Sequence, residues 1–416
     1  MNTPLSSMST SEKLNLITIG LLPILALMGN AIADIGLVLV VLVFLGTSGS
    51  AIKRYPKSWL LRLSFIFWIW ILICSSASPF PAHSFQDSLP WIRFPLYAFA
   101  LSLILLQGDG RHLKVFIAAC IIGTLIESAF LLREYLFFRG QNPRLYGTFQ
   151  KLMPGWYMMG FGLIAVLSLF NSLKAQPFRG RDWLAPGLFF IIASFGTLIT
   201  GELMSTLIFL TTTALFFLVI RHPDLKRVTF VLSGLAVSAS LFMLVIWLDT
   251  SLRERVAVAL LKRLPWLSTS DYGLPLRAGY NIALHNPLFG VGPKNTFAYC
   301  EMLKDQGLMD AVLHVTDCPW HPHNLYLQIA AESGLIGLIL FSALALYLVG
   351  QSMIHFVRNK AGNNLAIILI PLLFFPLQSY SQAFGQSRNF YFWTIVGFAL
   401  FVIRSHLRER GGDERL

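Results

Sequence analysis

Runs of about 18 or more apolar residues recur along this chain, and no other feature constrains its fold as strongly. A run of that length crosses a ~30 Å hydrocarbon core as a helix. Lipid offers no hydrogen-bonding partner to exposed backbone, so a spanning segment must be a helix or part of a closed barrel. The ten-residue alternation of barrel strands is absent. Charge points the same way: 12% of the 416 residues are charged and 55% are hydrophobic, too few charges to cover soluble domains. The expected fold is an all-α integral membrane protein, one polytopic domain over 1–416. Spans are expected at about 14–29, 31–48, 60–78, 92–107, 113–132, 155–171, 184–200, 203–220, 229–248, 325–349, 364–381 and 389–404, about twelve in all. Leu14 to Ala33 resembles a signal peptide, but the apolar run Ile35 to Leu45 follows at once. This reads as a helical hairpin without cleavage.

Lysine and arginine orient the spans. Lys53, Arg54, Lys57, Arg62, Arg111, Lys114, Lys174, Arg179, Arg181, Arg221, Lys226, Arg227, Arg358 and Lys360 alternate to one side, together with the tail arginines 404, 408, 410 and 415. That side is expected to be cytoplasmic, with both termini on it. The net charge of +12 is then a topology signal, scattered over many loops, and nucleic acid is not an expected partner. Segments 79–91, 133–154 and 249–324 face outward. Trp156, Trp247, Trp266 and Trp320 are expected at membrane interfaces. A lipid or solute transporter is the rival class, but it predicts repeated halves, and no internal repeat is visible.

The long outer loop, 249–324 between the ninth and tenth spans, holds most of the polar chemistry. Residues 251–264 form an amphipathic basic helix, suited equally to the membrane interface or to a lid on the bundle. A second helix, Leu276 to His285, ends at Asn286-Pro287. Gly290 and Gly292 give a tight irregular path, so Asn286, Pro287, Gly290 and Gly292 are expected to shape backbone rather than react. Arg277 and Asn281 share a helix face. His321-Pro322-His323-Asn324 runs straight into an apolar helix, with Asn324 as its N-cap and an anion favoured at that terminus. Asn324, Gln328 and Glu332 recur every fourth residue, a polar stripe that should face the bundle interior. Glu332 needs a partner there. Glu202 is either a cavity-lining acid or a buried structural one. Cys74 and Cys120 read as packing residues. Cys300 and Cys318 are candidates for a disulfide on an oxidising outer face, contributing about 3 kcal/mol in the chain-entropy picture.

The segments RAGYNIALHNPLFGVGPKNTF, 277–297, and HNLYLQIAAESGLIGL, 323–338, resemble the O-antigen ligase/polymerase superfamily of bacterial membrane glycosyltransferases. RLYGTF, 144–149, is similar to that family's Arg-x-x-Gly-Thr before the sixth span. The resemblance implies a GT-C-like membrane fold in the bacterial inner (cytoplasmic) membrane, with an active site facing the periplasm. It implies undecaprenyl-diphosphate-linked O antigen as donor, lipid A-core oligosaccharide as the ligase's acceptor, and membrane lipids as surroundings. A polymerase would instead extend one lipid-linked glycan with another. A chain without a large soluble extension looks more like the ligase. Many members carry a Ser-Arg pair after the seventh span. Residues 200–205 here contain no arginine, and Arg144 and Arg388 are candidates to replace it.

Such a transfer needs few parts. The departing lipid diphosphate gathers negative charge, which arginine binds with paired donors. Arg277 and Arg144 are the expected stabilisers, with Arg388 and Lys294 in reserve. The acceptor hydroxyl needs a base, and His323 is the candidate. His321 and Asn324 are expected to support binding. No cofactor and no metal are expected, because the outer loops lack paired acidic motifs and two histidines alone are a weak zinc signal.

Overall fold

The computed structural model describes residues 8–52, 58–138, 145–149, 153–173, 180–218, 225–248, 250, 253, 273–358, 365–374 and 383–409. Regular structure among the described residues is helical, with no strand. Eight helical stretches are long and apolar enough to cross a membrane: Asn30–Ser48, Trp59–Ala77, Pro81–Leu105, Arg111–Phe138, Pro154–Ser172, Arg181–Ile199, Leu325–Arg358 and Arg388–Arg408. Met204–Phe216 and Leu232–Leu248 are shorter apolar helices. The first expected span is a 17-residue helix, Thr10–Ala26, and the eleventh is described only over 365–374. The chain is a multi-pass helical membrane protein. Large apolar side chains such as Leu42, Phe65, Ile122, Leu188, Ile339 and Leu346 point outward, as lipid allows and water does not.

Aromatic residues fill the interior. Trp91 meets Phe67 and Trp393 edge-on, and Tyr157, Phe161, Phe390 and Tyr391 pack ring against ring. Cys74 and Cys120 are buried free thiols within this packing. Trp156, at the start of the candidate span Pro154–Ser172, turns its ring inward. It is 1% exposed, because it lies at the start of a buried helix whose next turn, Met158–Gly162, is a π-turn. Segment 79–91, expected to be an outward-facing loop, is largely helical and forms the first part of the candidate span Pro81–Leu105. Pro81 opens the helix Pro81–Ser88, which continues through Leu89–Ile92 into Arg93–Leu105. Proline suits a first turn, where its missing N–H costs nothing.

Residues 273–324 form a small folded unit. It contains the helices Gly273–His285, Thr296–Asp305 and Met309–Leu313. Ala278, Ile282, Val291, Cys300, Leu303, Leu313 and Val315 form its own core. A disulfide joins Cys300 to Cys318, with the Cα atoms 5.6 Å apart. The amphipathic helix expected at 251–264 lies outside the described residues except for Arg253, as do Arg144 and Trp266.

This unit is stitched into the membrane bundle where the long helix Leu325–Arg358 breaks. Gly334 there has φ 70° and ψ −177°, a backbone state essentially closed to side chains. A break inside the membrane frees backbone groups that must be re-bonded. The Asn286–Val291 turn does so: Leu335 N donates to the Pro287 carbonyl at 2.8 Å, and Val291 N donates to the Ala331 carbonyl at 2.9 Å. The Ser333 carbonyl accepts from the Trp70 indole at 2.8 Å, and Trp70 stacks on Phe289 at 5.6 Å. Gly290 lies so close to this break that a Cβ would meet the backbone of Glu332 and Ser333.

Candidate functional site

The site begins at the N-terminus of the long helix. The Asn324 side chain accepts from Leu327 N at 2.9 Å, and its carbonyl accepts from Gln328 N at 2.9 Å. It is the N-cap. His323 before it has φ 53°, a left-handed conformation unusual for a side-chain-bearing residue. That turn folds its ring back, so the His321 and His323 rings meet edge-to-face at 4.3 Å.

The Arg277 helix packs directly on this turn. A Cβ at Gly279 would lie 2.6 Å from Pro322, so the glycine is what admits the proline between the two histidines. Arg277 Nη1 donates to the His314 carbonyl at 3.3 Å, and Asn281 donates to the Leu313 carbonyl at 2.8 Å. The two residues therefore share one helix face and pin the segment that leads back to His321. Arg277 is half-buried, with its helix fixed at both ends. The Asn286 side chain returns to the Ile282 carbonyl and closes it.

Arg388 reaches the same neighbourhood from the last span. Its guanidinium lies 5.5 Å from the centre of the Trp156 ring, and its charge acts on His321. Burial first, then the charges of His323 and Arg388, push the His321 pKa down to about 3, so His321 is neutral at physiological pH. Gly155, beside Trp156, donates its N–H to Glu202 at 3.2 Å. Glu202 thus stands in the stretch that lacks arginine, with Arg388 one residue away across Trp156.

Lys294 is drawn elsewhere. Its ammonium pairs with Asp87 at 3.2 Å, while its backbone N–H donates to Glu332 at 2.7 Å. Glu332 also accepts from Thr296 and Gln328, each at 3.1 Å. Its partners are thus two loop residues and its own helix. A second pair of acids, without a sequence motif to announce them, holds the turn that follows Arg144. Glu134 accepts from the N–H groups of Tyr146 and Gly147, both at 2.8 Å. Glu127 accepts from Thr148 N at 3.2 Å and Thr148 Oγ1 at 2.7 Å. The charges of Glu134 and Glu202 act on Glu127. Glu127 sits in an apolar run, and only its intramembrane position could have marked it.

Among the described residues no group of three or more His, Cys, Asp or Glu is placed to hold a metal ion.

Residues 188–342 match the family model described as O-Antigen ligase. This stretch is similar to the O-antigen ligase family. The O-antigen ligase match spans the whole outer unit, the Arg277 helix, the histidine turn and the Gly334 break. Arg388, Glu127 and the 145–149 turn lie outside it. Comparison with curated proteins finds no match.

Proposed function

We propose that this protein is an O-antigen ligase, transferring O-antigen polysaccharide from undecaprenyl diphosphate to a sugar hydroxyl of lipid A-core at the periplasmic face of the inner membrane. The observation that carries this reading is the wedge of Pro322 against Gly279. It joins a histidine turn to an arginine helix within a stretch of O-antigen ligase sequence.

In this reading His323 takes the proton from the acceptor hydroxyl as its oxygen attacks the anomeric carbon. The bond from that carbon to the diphosphate oxygen breaks, and the diphosphate leaves with the electron pair. Direct displacement inverts the anomeric centre. Arg277 and Arg388 face the growing phosphate charge, with Arg144 as a third candidate from the turn before the sixth expected span. Guanidinium groups fixed in advance cost no reorganisation at that moment. Neutral His321 adds no positive charge beside the base while packing against its ring. Lys294, paired with Asp87, is the least available of the candidate cations. Asn324 sets the helix terminus that carries the turn. The residues supply base and charge, and no metal is required by the proposal.

Deletion in the native bacterium tests the assignment. A ligase predicts rough lipopolysaccharide and accumulated long lipid-linked O antigen. Lipopolysaccharide capped with a single repeat would overturn the ligase reading in favour of a polymerase. Normal lipopolysaccharide together with a transport defect would overturn both.

A further inference from the structure

Trp320 is 76% exposed and lies flat on Phe297, with ring centres 4.3 Å apart and planes within 5°. What sets Trp320 apart from other exposed aromatics is that one face of its ring is backed by a parallel ring while the residue stands beside the histidine turn. The brace beneath it is specific. Phe297 stands one turn before Cys300 on the helix Thr296–Asp305, and Trp320 follows Cys318 by two residues. The Cys300–Cys318 disulfide therefore fixes both ring carriers. One face of the indole is covered by Phe297, and the next residue along the chain is His321.

We infer that Trp320, braced by Phe297, is a stacking platform for a pyranose ring of the acceptor glycan. A sugar ring presents a face of C–H bonds that packs on a flat aromatic surface while its hydroxyls stay in water. The inference rests on the ligase reading, in which the acceptor hydroxyl must approach His323. A platform three residues from that base is placed to hold the acceptor rather than the lipid end of the donor. The surrounding charge favours glycan over a lipid surface. Residues 296–319 carry four carboxylates, Glu301, Asp305, Asp310 and Asp317, against one lysine, Lys304. Lys304 is itself engaged with Glu301 and Asp317. Such a face repels anionic headgroups.

Purified full-length protein in nanodiscs, with lipid-linked O antigen as donor and delipidated core oligosaccharide as acceptor, provides the test. Wild-type transfer must first be seen; its absence would sink the ligase reading and not the platform alone. Trp320→Ala is then expected to raise the acceptor KM at least tenfold, with kcat and donor KM within about twofold of wild type. Trp320→Phe should recover most of the loss. Core oligosaccharide should quench tryptophan fluorescence in wild type and less in Trp320→Phe. Unchanged acceptor KM and unchanged quenching would overturn the platform. So would a Trp320→Ala defect that disappears in detergent, which would assign Trp320 to the membrane interface.

Discussion

Two intramembrane glutamates each hold an outer turn, and they do so differently. Glu332 uses both carboxylate oxygens. Oε2 accepts from Lys294 N, and Oε1 accepts from Thr296 and Gln328. The residues just before that turn, Pro287 and Val291, are bonded to the helix break, and the helix that follows it carries Cys300 of the disulfide. Glu127 uses one oxygen. Oε2 takes both donors of Thr148, while buried Oε1 has no hydrogen-bond partner among the described residues. The first glutamate ties the 294–296 turn to the long helix Leu325–Arg358. The second shares the 145–149 turn with Glu134, which accepts from Tyr146 and Gly147. The proposed transfer draws on both turns, one held by a glutamate whose two oxygens are both engaged and the other by a glutamate with one oxygen to spare.

The largest test of that difference is Gly334→Ala. Its backbone conformation costs about 1–3 kcal/mol for any side chain, and a Cβ would also fall on the Leu288 carbonyl. We expect little folded protein by size-exclusion chromatography in detergent. A well-folded variant would mean the break is not what seats the loop. Removing the disulfide by Cys300→Ser with Cys318→Ser comes next. It should lower stability by about 3 kcal/mol, as expected for closing a loop of this length, seen as a reduced thermal midpoint.

An amide swap then separates the two glutamates directly. Glu332→Gln must turn an NH2 toward at least one donor, at about 1–3 kcal/mol for a buried group left without an acceptor. Glu127→Gln can keep its oxygen on Thr148 and should cost under about 0.5 kcal/mol. Equal losses in thermal unfolding would erase the contrast. The smallest effect near neutrality belongs to His321. An unfolded histidine titrates near 6.5 and the folded one near 3, so protonation favours unfolding. Stability from this group is constant above pH 6.5 and declines as pH falls toward 3. His321→Asn should flatten that decline in thermal midpoint; an identical pH dependence in the variant would show that other groups govern it.

Much of this was legible in the sequence, for physical reasons. Apolar run length announces spans because lipid demands it, and Asn324 announces a cap because its oxygen reaches an orphan N–H. The turn at Asn286-Pro287 and the period-four stripe ending at Glu332 were likewise visible, although Glu332's partners were not. Those partners come from residues 294 and 296, a non-local contact that no helical period encodes. Gly279 looked like ordinary helix sequence, yet it admits Pro322. Nothing around Gly334 in the sequence marks the helix break it makes. Trp156 is buried against Arg388, a packing partner distant along the chain that composition does not encode. Composition reports what a residue can do, and packing decides which option is taken.

The central claim is that His323, held by the Arg277 helix, is the base of a glycosyl transfer. Purified wild-type and His323→Ala proteins in nanodiscs, supplied with lipid-linked O antigen and lipid A-core, test it most directly. The variant should keep its thermal midpoint within a few degrees and lose at least about 10²-fold in transfer rate, the scale of general base catalysis. Transfer by the equally folded variant within a fewfold of wild type would contradict it.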